Sequence, residues 1–136
     1  AERLGVGERT VLLGSVGHDD LPAYYRAATL SVLASSREGW ANVLLESLAC
    51  GTPVVATAVS GTPEVITSEV AGRLVAARSS GQLAKAVNEL LAKPPSERAV
   101  RRYAERFSWA ETTEGQIAQF TAVTGRPSPK RDDPAR

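Results

Sequence analysis

The stretch "LSVLASSREGWANVLLESLACGTPVVATAV", residues 30–59, decides the fold. It opens with a short apolar run, Leu30–Ser35, of strand length. It closes with a valine-rich run, Pro53–Val59, which favours extended backbone. Between them "NVLLESLAC" reads as a helix. Gly51 falls where a left-handed residue ends a helix, and Pro53 follows as a stop. Strand, helix and strand in that order form the unit of a parallel sheet.

The flanking segments extend this pattern. "AERLGV" at the start reads as the tail of a helix that Gly5 or Gly7 terminates. "TVLLGSV" (residues 10–16) is apolar and closed by glycines, so it reads as a further buried strand. "DDLPAYYRAA" reads as a helix capped by Asp19 or Asp20, with Pro22 in its first turn. Downstream, "GTPEVI" reads as a turn into a short helix, with Thr62 as cap and Pro63 at the first helical position. "GRLVA" is a short fourth strand. Leu83, Ala86, Val87, Leu90 and Leu91 then recur at helical spacing. Two more helices follow, over "SERAVRRYAERFS" and "SWAETTEGQIAQFTAV". From Thr124 the chain is glycine, proline, serine and charge, which reads as a disordered tail. The expected division is therefore one α/β domain over residues 1–123, a Rossmann-like parallel sheet with flanking helices, and a tail over 124–136.

Composition narrows the function classes. The 136 residues suffice for one buried core. A formal net charge of +1 gives no field that would favour nucleic acid. One cysteine, Cys50, allows no internal disulfide and fits a reducing compartment. Cys50 itself reads as a small core residue. No apolar run approaches the length of a membrane span. One histidine cannot build a zinc site, and "His18-Asp19-Asp20" lacks the Asp-x-Asp spacing.

In parallel α/β sheets, ligands bind at the carboxyl ends of the strands. Residues 35–42 lie there. The helix that opens near Asn42 starts with backbone N–H groups that have no partner inside it. With the macrodipole they form an anion site worth about 0.3–2 kcal/mol. Gly39 lets a ligand approach the backbone closely. Gly39, Trp40, Ala41, Asn42, Val43 and Leu44 thus form a phosphate cradle that needs no side chain. Asn42 reads as a cap rather than a side-chain ligand. Glu46 interrupts the apolar run of Val43, Leu44, Leu45 and Leu48. A carboxylate can accept from both hydroxyls of a vicinal diol, and a ribose is the obvious diol beside a phosphate. Glu38 sits on the loop side of the helix start, where a sugar hydroxyl is the natural ligand. Glu64 reads equally as a site residue and as a helix-start acid. Arg37 reads as solvated.

Residues 35–57, "SSREGWANVLLESLACGTPVVAT", followed by "GTPEVI" at 61–66, closely resemble the retaining glycosyltransferases of family 4. Their pattern is a glutamate, seven residues and a second glutamate, then a Gly-Thr-Pro-Val-Val strand and a Gly-x-Pro-Glu turn. Similarity covers roughly residues 8–110. The resemblance implies the two-domain GT-B fold, with this chain an incomplete carboxyl-terminal, donor-binding domain. It implies transfer of a sugar from a nucleotide diphosphate sugar to an acceptor hydroxyl with retained configuration.

By position, Glu38 would be the catalytic-side acid on the transferred sugar. Backbone N–H groups of Gly39–Leu44 would hold sugar and diphosphate, and Glu46 would bind the ribose. The loop after the first strand, near Gly14–Gly17, would border the base; His18 reads as a loop residue or as a base or sugar contact. Trp40 departs from the phenylalanine common in the family. No cofactor or metal is required on this reading. The implied partners are the nucleotide-sugar donor, a carbohydrate or lipid-linked acceptor, and an amino-terminal domain of the same enzyme, absent from this chain.

Also absent would be two strands and the Arg/Lys pair that clamps the diphosphate. The family order places those strands between "VLLGSV" and "LSVLAS". The chain alone is therefore expected to be inactive and marginally stable. The implied location is cytoplasmic. The Arg98–Arg106 cluster reads as a solvated face that could also lie on the inner face of an anionic membrane. The alternative function is a non-catalytic nucleotide-sugar binding or scaffold domain. A dinucleotide enzyme would need Gly-x-Gly-x-x-Gly after a strand, and none is present.

Overall fold

A computed structural model describes residues 1–76 and 78–126. Three parallel strands form one sheet in the order β1 (Ser31–Leu33), β2 (Val54–Thr57), β3 (Gly72–Val75). Ser31 lies opposite Val54, and Val54 opposite Gly72. Around the sheet stand α1 (Leu21–Ala27), α2 (Asn42–Ala49), α3 (Thr62–Val65), α4 (Ser80–Ala92) and α5 (Glu97–Ala104). The expected parallel α/β architecture is what the chain adopts.

The central strand is buried along its whole length, which a parallel strand covered on both faces requires. Val55 turns toward α4 and packs with Val75, Ala86 and Leu90, flanked by Leu30, Leu83 and Val87. The pleat sends Val54 and Ala56 to the other face. Helix α2 lies against β1 and β2, and α5 against α2. Leu44, Ser47 and Leu48 are the buried stripe of α2, at the i, i+3, i+4 spacing of a helix face.

Two glycines allow close backbone approach. Gly51 ends α2 with φ +87°, and a Cβ there would meet Glu97 at 3.2 Å. Gly72 has φ +150°, and a Cβ there would stand 1.7 Å from the Val54 carbonyl oxygen. No other residue fits beside β2 at that position.

One expected strand does not form. Thr10–Val16 pairs with no strand among the described residues. Val11, Leu12 and Leu13 are 78%, 92% and 53% exposed. Gly14, at φ +67°, breaks the extended run, and without a neighbouring ladder an apolar stretch has nothing to hold it as a strand. The amino-terminal helix tail is a single 3-10 turn, Glu2–Leu4, closed by Gly5 at φ +65°.

The described residues group into two compact units that divide at 104/105. In the second unit α6 (Trp109–Thr124) starts at Ser108, whose hydroxyl accepts from the Glu111 N–H. It buries no residue and ends at left-handed Gly125. The division at 104/105 falls inside the single domain expected over residues 1–123, and Thr124, expected to open the tail, is the last residue of this helix. Of the tail expected from Thr124, residues 127–136 lie outside the described residues.

Candidate functional site

The loop that leaves the carboxyl end of β1 is tied at two points to the carboxyl end of β2 and the turn that follows it. Residues 34–41 connect β1 to α2. Near the start of this loop, the Ser35 carbonyl accepts from the hydroxyl of Thr57 at 2.5 Å. Thr57 ends β2 and is buried. Further along, the Gly39 carbonyl accepts from the Gly61 N–H at 3.3 Å. Glu38 lies between these anchors. It is half-buried and has no hydrogen bond or ion pair with any described residue.

The second anchor depends on a tight turn after β2. Ser60 adopts φ +45°, a left-handed conformation uncommon for a residue with a side chain. Thr62 holds that turn. Its hydroxyl donates to the Thr57 carbonyl at 2.7 Å and accepts from the Val59 N–H at 2.9 Å. Thr62 is therefore not the cap of α3, which is Gly61. It is the first helical residue, and its hydroxyl closes the turn behind it. Glu64 lies in the first turn of α3 and is exposed.

The start of α2 is also resolved in detail. Ala41, not Asn42, is its cap residue, and no side chain caps it. The correction is local: Ala41 has non-helical φ, ψ, whereas Asn42 is already in the first turn. The Asn42 N–H donates to the Trp40 carbonyl at 2.9 Å, and the Leu44 N–H to the Ala41 carbonyl at 3.0 Å. Those two donors of the expected cradle turn inward. The Val43 N–H finds no acceptor among the described residues. Gly39 is exposed, and a Cβ there would meet nothing within 4 Å.

Glu46 lies one turn into α2 and is half-buried. Its neighbour Ser47 ties the helix to the sheet, sharing a 2.9 Å hydrogen bond with the Ser31 hydroxyl and donating to the Thr52 carbonyl at 3.0 Å. Glu46 Oε2 accepts a hydrogen bond from Tyr25 Oη at 3.3 Å. Sequence reasoning missed Tyr25, which stands 21 residues away on α1. Burial, and then the charge of Glu46, push the Tyr25 phenol above its ordinary value. It therefore stays a neutral donor at physiological pH.

Gly17 and His18 are exposed and precede α1. The Gly17 carbonyl accepts from the Asp20 N–H at 3.0 Å, so this loop forms the entry of that helix. No hydrogen bond among the described residues joins it to residues 35–46. Among the described residues, no three His, Cys, Asp or Glu side chains gather. None of the helices there is long and apolar enough to cross a membrane.

In parallel α/β sheets ligands are seated at the carboxyl ends of the strands, where this loop lies. Residues 1–107 match the family described as Glycosyl transferases group 1, and the chain belongs to that family. It is 37% identical over 137 residues to the D-inositol 3-phosphate glycosyltransferases of Mycobacterium tuberculosis and Mycobacterium bovis. That match covers 96% of this chain and 28% of theirs, so the chain spans little more than a quarter of the curated relatives. Sucrose-phosphate synthase from Thermosynechococcus elongatus superposes with a TM-score of 0.78 at 30% identity, over 90% of this chain and 33% of that one. HepE of Anabaena, solved in complex with UDP, gives 0.74 at 27% identity, over 90% and 34%.

Proposed function

We propose that this chain is the donor-binding part of a retaining, family 4 glycosyltransferase that takes a nucleotide diphosphate sugar. The observation that carries the reading is the arrangement at the strand ends. A loop held by Thr57 and Gly61 presents Glu38, an acid with no partner among the described residues, just ahead of the helix that carries the second acid, Glu46. The relative solved with UDP supports a nucleoside diphosphate as the leaving part of the donor.

In this reading Glu46 accepts from the ribose hydroxyls, each charge-assisted bond contributing about 1.5–3 kcal/mol where water is excluded. The Val43 N–H and the start of α2 face the diphosphate, and Gly39, Trp40 and Ala41 supply backbone against the donor. Glu38 accepts from hydroxyls of the transferred sugar. Stabilising the departing diphosphate is then the main catalytic contribution of this half. Glu64, Gly17 and His18 stand as outlying contacts, the last two toward the base. The acceptor, a carbohydrate or lipid-linked hydroxyl, is held by a second domain, and the setting is cytoplasmic with peripheral membrane contact. No cofactor or metal is needed.

In the two-domain enzyme this reading requires, Glu46→Ala raises KM for the donor most, and Glu38→Ala mainly lowers kcat. Steady-state kinetics with a panel of nucleotide sugars reads both. Unchanged kinetics in both variants would overturn the assignment. Efficient sugar transfer by the 136-residue chain alone would overturn its role as a donor half.

A further inference from the structure

We infer that Tyr25 is the positioning residue for Glu46, fixing the carboxylate in the orientation that receives a ribose diol. The inference rests on the donor site proposed above and adds a residue to it.

The argument begins with what a glutamate on a helix lacks. Its side chain has several rotatable bonds, and holding it in one geometry costs conformational entropy. A carboxylate that must meet two hydroxyls at once gains affinity if that cost is met before binding. Tyr25 Oη donates to Oε2 only. A carboxylate offers about four acceptor sites, so one is used, and Oε1 and the second lone pair of Oε2 remain for a diol. At 3.3 Å the bond is long for a hydroxyl on a carboxylate. It can steer the group without competing strongly with a ligand.

A positioning group must itself be positioned, and Tyr25 is. The Tyr25 carbonyl accepts from the Thr52 hydroxyl at 2.6 Å. Thr52 is buried, just beyond the end of α2, and its own carbonyl accepts from Ser47 at 3.0 Å. The phenol and the acid it contacts are thus tied to the same frame, one through α1 and the other through α2. Tyr24, its neighbour on α1, is 46% exposed, so the hydroxyl placement belongs to position 25 and not to a general aromatic face.

The test is titration calorimetry of the full chain with UDP and with 2′,3′-dideoxy-UDP, repeated with the guanine pair. The variants are Tyr25→Phe, Glu46→Gln and the double variant, each with its melting temperature. Tyr25→Phe is expected to weaken UDP about 3- to 10-fold. It should leave the dideoxy nucleotide and the melting temperature unchanged, and add nothing in the Glu46→Gln background. Equal weakening of both nucleotides together with a lowered melting temperature would assign Tyr25 a merely structural role and overturn the inference. So would a Tyr25→Phe protein that still discriminates ribose while Glu46→Gln does not. If Glu46→Gln discriminates as well as the parent chain, or the parent chain binds neither nucleotide, the donor-site reading fails and the inference with it.

Discussion

Replacing Gly61 with alanine tests how the strand-end loop is held. The backbone of Gly61 is ordinary, φ −76° and ψ −5°, so alanine suffers no torsional penalty there. The obstacle is space. A Cβ at 61 would stand 2.6 Å from the Gly39 carbonyl oxygen and 3.5 Å from the Trp40 ring. The first contact is with backbone, so no rotamer change relieves it. The 35–41 loop must retreat by about 0.5–1 Å before the contact becomes ordinary. Overpacking of this kind costs about 1–3 kcal/mol. Losing the long Gly61–Gly39 hydrogen bond adds about 0.5–1 kcal/mol.

Urea unfolding of the full chain reads the sum as a lower midpoint at unchanged slope. Amide chemical shifts of Glu38, Gly39 and Trp40 read the displacement. On the proposed reading, a shift of that size lowers turnover of sugar transfer by the two-domain enzyme about 100-fold, while UDP affinity, which that reading assigns to Glu46, falls far less. Gly39→Ala is the control: its Cβ meets nothing within 4 Å, so its cost stays within about 0.5 kcal/mol. The reasoning fails if Gly61→Ala unfolds like the parent chain, or if Gly39→Ala lowers the urea midpoint as much.

Two further substitutions probe the fold. Leu12 is 92% exposed, so Leu12→Ser should change the unfolding free energy by less than about 0.5 kcal/mol, whereas fully buried Leu48→Ala should lose about 2–5 kcal/mol; similar losses for the two would place Leu12 in a core. Tyr103 Oη donates to the Val65 carbonyl at 2.7 Å and accepts from the Thr67 N–H at 2.9 Å. Tyr103→Phe should therefore cost about 1–3 kcal/mol and speed hydrogen exchange at the Thr67 amide, and an unaltered exchange rate would show that the amide does not depend on it.

The residue 30–59 unit was legible because its signals are local. Strand length, helical spacing in Val43–Leu48, and the Gly51–Pro53 stop all sit within a few residues of the structure they specify. Thr10–Val16 was misread because strand formation is settled by a neighbour, and apolarity alone does not supply one. Asn42 and Thr62 were each placed one position early. A cap is defined by φ, ψ, and the residue types that favour it are also common in the first turn. Tyr25 was invisible for a different reason. Its partner is distant in sequence, and a tyrosine on a helix carries no mark of which carboxylate it will meet. The pinning of Ser35 by Thr57 is hidden in the same way, since the threonine reads only as the end of a valine-rich strand.

The two acids differ in how they are mounted, and the difference separates their proposed tasks. Glu46 stands on a helix whose neighbouring turns are fixed by Leu44, Ser47 and Leu48 in the core, and Tyr25 meets its carboxylate. Moving it would require moving α2 against the sheet. Glu38 stands on a loop whose backbone is anchored at Ser35 and Gly39, while its own side chain has no partner among the described residues. Its backbone is therefore fixed but its carboxylate can still adjust. A ribose diol has one geometry in every nucleoside diphosphate, and a rigid acceptor suits it. Transferred sugars differ in the orientation of their hydroxyls, and an acid free to rotate on a fixed backbone suits those. Exchanging one sugar for another within this framework should then be governed by residues 36–40, with α1 and α2 left unchanged.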